Sequence, residues 1–464
     1  MDKILDQITD YVMQEDSPSG EAMETARWCL YDSAGCAMLS LSFPACKKLL
    51  GPIIPGAYTN QGCRVWGQQG LLDPVMGAFN LGTMIRWLDY NDTWLAQEWG
   101  HPSDNFGGLL AVADYLSRQK IRKITVEDLL KAAVQAYEIQ GVLSLGQSLN
   151  RQGYDHVHFV KVASAAVVTK MLGGNRQQVA AALSQAWIDG IPLRLYRHAP
   201  NTGSRKSWAA GDATARGVFL ALLTMRGELG YETPLSAKTW GFEEVVMKGK
   251  EITLPQPLGS YVMENILFKV SFPAEFHAQT AVEAAIKLYP KIKGRWEEIE
   301  KIEIATHESA LRIIDKKGEL HNPAARDHCL QYMVAVALLE GSLSAEHYED
   351  EYAQNPRIDG LREKMILTEE KRYSRDYLDP QKRSIASSLT IHLRDGEQFG
   401  PEEIEYPLGH RRRRQEAWAA LEEKCCRHFL MQMNAQKTAK LVSLLKDPKA
   451  LLSCEVSNWV DLFF

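Results

Sequence analysis

The sequence lacks local binding motifs for metal ions and nucleotides, and this absence is informative. The eight cysteines form no Cys-x-x-Cys pair, and no three of them have the short spacing of a ligand set. A structural zinc site or a locally encoded iron–sulfur cluster is therefore not predicted, and no metal or other cofactor is expected. The Gly-rich nucleotide motifs, HExxH and GxSxG are also missing, which disfavours nucleotide-binding proteins, zinc proteases and serine hydrolases.

An excess of positive charge and long apolar runs are missing as well. The formal net charge of the 464 residues is −5, so no nucleic-acid partner is predicted. No apolar run approaches the length of a membrane span, and residues 1–15 have the pattern of an amphipathic helix rather than that of a secretory signal. We therefore expect a cytoplasmic protein with no membrane partner, whose cysteines are reduced thiols.

The first 265 residues predict one helix after another. Apolar side chains recur at helical spacing, and helix starts are clear where Asp73 precedes Pro74 and where Thr125 precedes an acidic first turn. Predicted helices lie at residues 4–14, 19–38, 125–146, 159–172, 175–187 and 204–223, with two more that begin at 73 and 102. A large all-helical domain is expected.

The pattern changes near residue 265. Residues 298–306 and 387–393 alternate between apolar and polar side chains, as half-buried strands do. The Asp395-Gly396 pair follows where a hairpin turn would lie, so a return strand is expected within 398–406. Gly400-Pro401 is expected to interrupt that strand.

Helices are also predicted in the second half, at residues 274–288, 327–339 and 414–445. The whole pattern predicts a mainly α protein, with a smaller α+β domain inserted into the helical one. The expected division is a helical domain at 1–265, an α+β domain at 266–405, and a C-terminal segment at 406–464 that returns to the helical domain.

An apolar helix that ends in a polar cluster is the most prominent candidate site. Residues 75–88 are largely apolar, and the next thirteen positions gather carboxylates, a hydroxyl and an imidazole: Asp89, Asn91, Asp92, Thr93, Glu98 and His101. Proton-transfer chemistry requires such groups on a rigid support. The alternative is an ordinary helix end with a capping aspartate and a surface histidine.

Two further segments combine polar side chains with a helix start. His156 and His158 stand at the entry to a helix, and because they are two residues apart, at most one is expected to face a site. In segment 196–212 a Gly-Ser turn leads into a helix, and Arg197, Arg205 and Lys206 add positive charge. That combination predicts an anion cradle, with solvated basic side chains as the alternative.

Polar side chains also lie near the expected domain junction. Residues 267–280 contain Lys269, Glu275 and His277, and junctions between domains are favoured ligand sites. Tyr332 lies in an apolar helix and offers a hydroxyl, although a buried tyrosine more often donates to the backbone. The basic run 411–414 is interpreted as a solvated helix start or an ion-pair cluster rather than a nucleic-acid contact.

Long segments of the chain resemble the MmgE/PrpD family. The resemblance is carried, in the family order, by DYNDTWLAQEWGHPSDN, YRHAPNTGSRKSWAAGDAT, ENILFKVSFPAEFHAQTA, RIIDKKG and ARDHCLQYMVA, and it extends from about residue 4 to residue 462. Family members have a large helical domain, formed by the N-terminal part and the C-terminal tail, with a smaller α+β lid between them. The resemblance thus implies a mainly α fold of the MmgE/PrpD type.

The resemblance also implies an activity. Family members dehydrate 2-methylcitrate to 2-methyl-cis-aconitate in the methylcitrate cycle of propionate breakdown, and they do so without an iron–sulfur cluster. A small tricarboxylate is therefore the expected partner, with citrate as a second candidate substrate, and relatives imply a homodimer. Because cis-aconitate decarboxylase is also similar, a related polycarboxylate lyase stays an alternative, as does a catalytically silent helical binding protein.

The family's site residues can be transferred to this sequence one by one. The D-x-x-D-T…H-P motif, the later histidine, the basic-loop lysine and the helix tyrosine correspond, in that order, to Asp89, Thr93 and His101, to His156, to Lys206 and to Tyr332. In the decarboxylase relative a histidine follows the Phe-Pro of the junction motif. Here Glu275 stands at that place and His277 two positions on, which disfavours a decarboxylase.

A division of roles follows as a hypothesis. His101 or Asp89 removes the proton, and His156 assists departure of the hydroxyl group. The other groups serve binding: Lys206, Arg205 and Lys269 for the substrate carboxylates, Thr93 and Tyr332 for orientation, and His277 as a further substrate-binding residue.

Overall fold

The computed structural model describes residues 1–15, 17–198 and 200–464. Asp16 and Ala199, the second of which belongs to the predicted basic loop, lie outside the described residues. Contacts divide the chain into two units. Unit 1 comprises Met1–Tyr196, Arg205–Leu267 and Leu421–Phe464, and unit 2 comprises Arg197–Ser204 and Phe268–Ala420.

Helices account for most of unit 1. In chain order they are α1 Lys3–Met13, α2 Gly20–Ser40, α3 Pro44–Lys47, α4 Pro74–Arg86, α5 Phe106–Arg118, α6 Val126–Gly146, α7 Val157–Met171, α8 Arg176–Ile188, α9 Arg205–Met225, α10 Phe242–Val245 and α11 Tyr261–Asn265. All eight helices predicted within 1–265 are confirmed, with ends shifted by a few residues. Within the described ranges, no helix combines the length and the apolar character needed to cross a bilayer.

Local capping explains why these helices begin where they do. The Asp73 carboxylate accepts hydrogen bonds from the first backbone N–H groups of α4, and Pro74 occupies the first helical position. At α6, Thr125 and Asp128 form a reciprocal capping box, with distances of 3.2 and 2.9 Å. Each cap pairs backbone donors that a helix start would otherwise leave unpaired, so the start signals in the sequence were sufficient.

Glycines allow three helices to cross closely at the end of α4. A Cβ atom on Gly82 of α4 would lie 2.8 Å from the Cα atom of Gly211 on α9, and one on Gly107 of α5 would lie 2.7 Å from the backbone nitrogen of Gly82. Any larger side chain would force the backbones apart. This crossing fixes the last turn of α4, after which the candidate site begins.

Unit 2 contains a four-stranded mixed sheet. The strands are β1 Ile299–Thr306, β2 Met365–Glu369, β3 Ser387–Leu393 and β4 Gln398–Ile404. Their order is β2-β1-β3-β4, with β1 and β2 parallel and the other pairs antiparallel. The prediction of strands at 298–306 and 387–393 is confirmed, and these two form the centre of the sheet.

Seven helices accompany the sheet: α12 Gln279–Ile292, α13 Glu308–Ile314, α14 Pro323–Arg326, α15 Leu330–Glu340, α16 Asp350–Ala353, α17 Pro356–Arg362 and α18 Lys371–Leu378. The long helices α12 and α15 share a buried apolar core with the inward-facing residues of β1 and β3. Every second residue of β3 is buried, which is the period expected of a strand with one covered face. Unit 2 thus has its own core.

Two strands differ from the sequence-based expectation. Gly400-Pro401 does not end β4, because the strand continues through it and the irregularity is absorbed as a register shift opposite Leu389 and Ile391 of β3. Gly400 has φ +106 there, a conformation that favours glycine. The sequence analysis missed β2, a five-residue edge strand with alternating exposure.

The C-terminal tail is helical, as predicted, but in several pieces: α19 Arg414–Leu430, α20 Ala435–Lys446, α21 Pro448–Ser453 and α22 Val456–Asp461. Arg413, in the basic run before α19, pairs with Glu283 at 2.8 Å and with Glu416 at 3.2 Å. Arg413 thus forms ion pairs, while Arg411 and Arg412 are exposed, so the run combines the two predicted alternatives, an ion-pair cluster and a solvated helix start. The two units are defined by contacts and not by independent folding. The domain bounds predicted from the sequence, 1–265, 266–405 and 406–464, therefore stay a prediction.

Candidate active site

The candidate site in unit 1 begins where α4 ends. Asp89 lies three residues after Arg86, the last residue of the helix, and has φ +50. Its Oδ1 is 2.8 Å from a guanidinium nitrogen of Arg86, and both side chains are almost fully buried. A helix end in the left-handed conformation usually carries glycine or asparagine. An aspartate held there against a buried arginine indicates a functional position.

His101 lies beside this ion pair. Its Nδ1 is 2.6 Å from the backbone carbonyl oxygen of Asp92, and because a carbonyl can only accept, Nδ1 carries the proton. Nε2 is then an acceptor, and Arg86 donates to it at 2.9 Å. The Asp89 Oδ1 atom is 3.7 Å from the same nitrogen. His101 is held as a neutral tautomer whose basic nitrogen faces Arg86 and Asp89, so the alternative of a surface histidine is wrong.

A closed loop brings Thr93 next to His101. Trp94 and Gly100 exchange two backbone hydrogen bonds of 2.8 and 3.0 Å, so the residues on either side of them become neighbours. Thr93 Oγ1 is 3.4 Å from His101 Nδ1. The Thr93 backbone is fixed in turn by two hydrogen bonds to Leu267, of 2.8 and 3.0 Å. Three residues of the predicted site therefore come together on the described geometry: Asp89, Thr93 and His101.

A buried carboxyl group supports the backbone that holds His101. The Asp92 carboxyl accepts from the Ser103 hydroxyl at 2.6 Å, from the Ser103 N–H at 3.1 Å and from the Tyr137 hydroxyl at 2.6 Å. Burial raises the pKa of Asp92 to about 6, against the effect of these hydrogen bonds. The backbone carbonyl of Asp92 accepts the hydrogen bond from His101 Nδ1. The network around the Asp92 carboxyl group therefore positions the imidazole.

A second buried ion pair fixes the segment from below. Lys424 of α19 lies 2.7 Å from an Asp32 carboxylate oxygen, and it donates to the Tyr90 carbonyl at 2.8 Å. Its ammonium group also lies 3.7 Å from the centre of the Tyr90 ring. The C-terminal part of the chain thus anchors the residue that directly follows Asp89, by contacts that a buried charge requires.

His156 is the second histidine of the site. Its ring centre lies 5.9 Å from that of His101, and its Nδ1 is 3.3 Å from an Asp155 carboxylate oxygen. His158 faces elsewhere, stacked on Phe242 at 5.0 Å, and burial lowers its pKa well below the usual range. The two histidines therefore have different neighbours, and the place of His156 in a site stays a prediction.

A polar layer lies behind His156. The Glu98 carboxyl accepts from the backbone N–H of Asn150 at 2.7 Å and from its amide at 3.0 Å. Burial raises the pKa of Glu98 to about 7, although the positive charge of Arg194 acts in the opposite direction. Arg194 also lies 4.0 Å from an Asp155 oxygen and 5.7 Å from the Trp99 ring centre. Glu98 therefore titrates near neutrality inside the fold.

The first two residues of α9 have different environments. Lys206 is among the largest fully buried side chains of the protein, with 1% of its surface exposed. Arg205 is about 40% exposed, pairs with Asp212 at 3.2 Å and stacks on Trp208 at 4.2 Å. Arg205 therefore forms an outward-facing ion pair. Lys206, in contrast, is shielded from solvent, which suits a cation that binds a ligand. Both assignments stay predictions.

Comparison with known proteins shows the family of this chain. The profile of the MmgE/PrpD N-terminal domain matches residues 6–255, and that of the MmgE/PrpD C-terminal domain matches residues 272–447. The chain belongs to the MmgE/PrpD family.

Similar proteins cover the chain from end to end. Proteins named 2-methylcitrate dehydratase from Salmonella typhimurium and from Cupriavidus necator are each 52% identical over all of this chain and 97% of their own length. A protein from Yarrowia lipolytica, named mitochondrial 2-methylcitrate dehydratase, is 50% identical over all of this chain and 90% of its own length. The family resemblance seen in the motifs therefore extends to whole relatives.

The unit 2 residues assigned from the MmgE/PrpD resemblance have contacts of their own. The His277 Nδ1 atom is 2.8 Å from Glu275 Oε1, and its Nε2 is 3.1 Å from the Tyr377 hydroxyl. Glu275 also accepts from the His277 backbone N–H at 2.9 Å. His307 and Tyr377 stack beside this group at 4.8 Å. His277 thus has partners on both ring nitrogens, and its substrate-binding role stays a prediction.

Tyr332 and Lys269 are also buried in unit 2. The Tyr332 hydroxyl donates to the His347 carbonyl at 2.6 Å, which is the commoner arrangement for a buried tyrosine. The hydroxyl oxygen keeps lone pairs that can accept, so this contact restricts the role predicted for Tyr332 to that of an acceptor in the present arrangement. Lys269 is completely buried. Both site assignments stay predictions.

Sequence reasoning missed several groups that the structure places around His101. Arg86 was absent from the predicted set, although it contacts both Asp89 and His101. Its spacing of three from Asp89 on a helix was the available signal, since such residues are neighbours. Tyr137 and Arg194 lie far away in the sequence and gave no local signal.

Proposed function

We propose that this MmgE/PrpD family member is a hydro-lyase that dehydrates 2-methylcitrate to 2-methyl-cis-aconitate. The observation that carries the proposal is the neutral His101, whose basic nitrogen faces the buried Arg86–Asp89 pair. The chain is also 52% identical, over its full length, to a protein named 2-methylcitrate dehydratase. A neutral imidazole in a buried polar cluster can take a proton near neutral pH.

The reaction removes one proton and one hydroxide from adjacent carbons. The C–H bond that breaks lies beside a carboxylate, and its electron pair forms the new double bond. The C–O bond on the neighbouring carbon breaks, and the departing hydroxide takes a proton to leave as water. An enzyme for this reaction therefore needs a base, an acid and cations that stabilise charge on the carboxylate next to the reacting carbon.

The base is His101 or Asp89 in this proposal. The His101 Nε2 lone pair is available once the guanidinium of Arg86 turns from it toward the substrate, and Asp92 keeps the proton on Nδ1 fixed. The Asp89 carboxylate pairs with Arg86 at 2.8 Å and lies 3.7 Å from the same nitrogen. Because His101 and Asp89 are neighbours, either could take the proton from the substrate. Comparing the pH dependence of kcat in variants of each residue would distinguish them.

The remaining predicted residues serve departure and binding. His156, with the Asp155 carboxylate 3.3 Å away, is proposed to protonate the leaving hydroxyl group. Lys206, Arg205 and Lys269 are proposed to bind substrate carboxylates, with His277 as a further binding residue, and Thr93 and Tyr332 to orient the substrate. The Lys206 side chain is 1% exposed at the start of α9, and a cation at a helix start is suited to hold a carboxylate.

The finer statements about biology rest on the relatives. We propose that the reaction belongs to the methylcitrate cycle of propionate breakdown, that citrate is a second substrate giving cis-aconitate, that the protein acts in the cytoplasm, and that it is a homodimer. The relative named as mitochondrial suggests that location differs among family members.

A steady-state assay with purified full-length protein tests the proposal. 2-Methylcitrate and citrate are offered side by side, with chelator present, and the ultraviolet absorbance of the new double bond is followed. Turnover of 2-methylcitrate in chelator supports the dehydratase and its independence of a metal cofactor. Absence of that turnover, with carbon dioxide released from cis-aconitate instead, would contradict it and assign the chain to the decarboxylase relatives.

A further inference from the structure

Unit 2 contains a cleft of about 900 Å³, and of the residues assigned to the proposed reaction it is lined by Tyr332 alone. One wall is the segment that follows α13, including Lys316, and the other is formed by α17 with Arg362 near its end. Tyr332 and Gln331 of α15 lie at its base. A volume of this size is that of a small-molecule site.

Lys316 carries the strongest signal in this cleft. Its ammonium nitrogen is buried, yet among the residues that the structure describes it has no hydrogen-bond partner. Burial lowers the pKa of Lys316, and the negative charges of Asp327 and Glu275 act in the opposite direction from a distance. A buried ammonium that makes no hydrogen bond reduces stability, so its presence indicates a ligand that compensates the charge.

Arg362 adds a second unsatisfied donor. Two of its nitrogens are engaged, one with the Asp359 carboxylate and one with the Gly318 carbonyl at 2.8 Å. The buried Nε has no partner among the described residues. Gly318 belongs to the wall that carries Lys316, so the hydrogen bond from Arg362 ties the two walls of the cleft together.

Among the residues that the structure describes, no carboxylate of the cleft forms a hydrogen bond with the Lys316 ammonium. Glu319 and Glu363 are solvent-exposed, and Asp359 is already paired with Arg362. Exposed carboxylates are hydrated and screened, whereas the Lys316 ammonium nitrogen and the Arg362 Nε atom are buried. The buried part of the cleft is therefore cationic.

We propose that this cleft binds a small, multiply charged oxyanion, either a polycarboxylate or a phosphate compound, through the Lys316 ammonium and the Arg362 guanidinium. Both groups suit the oxygens of such an anion, since the ammonium acts as a compact charge and the guanidinium as a planar donor. The proposal does not rest on the dehydration reaction, because binding can be measured with compounds that cannot be dehydrated.

Titration calorimetry on the full-length protein tests the site. The probes are inorganic phosphate and propane-1,2,3-tricarboxylate, a tricarboxylate without a hydroxyl group to eliminate. We expect Lys316→Met to weaken binding of at least one probe by about tenfold or more. The matched control is Lys371→Met, which removes a lysine that is 83% exposed and should leave both affinities unchanged. The probe that binds the unmodified protein identifies the source of the anion.

Thermal unfolding supplies the second readout. Because Lys316→Met removes a buried donor that has no partner, we expect the melting temperature to stay the same or to rise. A fall of several degrees would make Lys316 a structural residue and overturn the proposal. Failure of both probes to bind at millimolar concentration, or equal affinities for the Lys316→Met variant and the unmodified protein, would overturn it as well.

Discussion

His101 in unit 1 and His277 in unit 2 are both buried beside a carboxylate, yet their surroundings differ in one decisive respect. The basic nitrogen of His101 contacts the guanidinium of Arg86, a charged donor that can also bind a substrate carboxylate. Both nitrogens of His277 contact groups that belong to a closed cluster, the Glu275 carboxylate and the Tyr377 hydroxyl. The first imidazole can exchange its partner for a substrate, whereas the second would have to break its own cluster.

The backbone conformation of the carboxylate residue beside each histidine also differs between the two units. In unit 1, Asp89 occupies a left-handed conformation that most residues avoid, and it is kept there by contacts with Arg86. In unit 2, Glu275 has extended backbone and caps the short turn that carries His277. An unfavourable conformation is retained only where something compensates for it. The comparison teaches that an imidazole–carboxylate contact alone does not identify a catalytic histidine.

The largest effect should come from His101. We expect His101→Ala to lower kcat about 100-fold or more, because general acid–base groups typically contribute that much. Exogenous imidazole should restore part of the rate if His101 exchanges protons with the substrate. The matched control is His392→Ala, which removes a histidine paired with Glu303 on the sheet of unit 2. Turnover by His101→Ala within a few-fold of the unmodified protein would remove the distinction between the two histidines.

A smaller but still large effect is expected for Asp89→Asn. Asparagine tolerates the left-handed conformation, so the backbone should be preserved, while Arg86 loses its counter-charge and turns fully toward His101. We expect kcat to fall at least tenfold and the melting temperature to fall as well, since a buried charge is left unpaired. Asp10→Asn, which breaks an exposed ion pair with Arg176, serves as control. Full activity in Asp89→Asn would exclude Asp89 as the base.

His277 should behave in the opposite way. We expect His277→Gln and Tyr377→Phe to lower the melting temperature, because each leaves a buried partner unsatisfied, at a cost of about 1–3 kcal/mol. Their kcat should change by much less than that of His101→Ala. A fall in kcat/KM near 100-fold at unchanged melting temperature would instead assign His277 to substrate binding, the role hypothesised from its place in the junction segment.

Local signals explain which parts of the fold could be predicted from the sequence. Asp73 and Thr125 sit next to the backbone groups that they cap, so a few residues contain the whole cause of the helix start. Strand β2 is different, because its five residues form a strand only by pairing with β1, some sixty positions earlier in the chain. Neither its length nor its alternation separates it from a loop in the sequence alone.

The same distinction holds for the candidate site. The spacing of Asp89, Thr93 and His101 lies within one short segment, and the Trp94–Gly100 bridge that joins them is local. The support comes from distant residues, namely Tyr137 under Asp92 and Lys424 under Tyr90. Arg86 was within reach, but an arginine in the last turn of a helix usually interacts with the helix dipole in solvent, so its burial could not be read from its position.

The smallest expected effect is on the pH dependence of stability, where Glu98 of unit 1 and His307 of unit 2 should act in opposite directions. Burial raises the pKa of Glu98 in unit 1 to about 7, so the native state holds a proton that the unfolded chain loses above its ordinary pKa. The stability gained from that proton is lost as pH rises from about 4.5 through 7. Glu98→Gln should therefore flatten the fall in melting temperature over this interval, by a few degrees.

His307 in unit 2 acts in the reverse sense. Burial lowers the pKa of His307 well below the ordinary value, and its interaction with His277 acts in the same direction, so the unfolded chain binds a proton that the native state excludes. Stability is then lost as pH falls below about 6.5. His307→Asn should reduce the loss of stability as pH falls below about 6.5, whereas Glu98→Gln should reduce the loss of stability as pH rises from about 4.5 to 7. If both variants changed the slope of melting temperature against pH in the same sense, the opposite electrostatics of the two groups would be disproved.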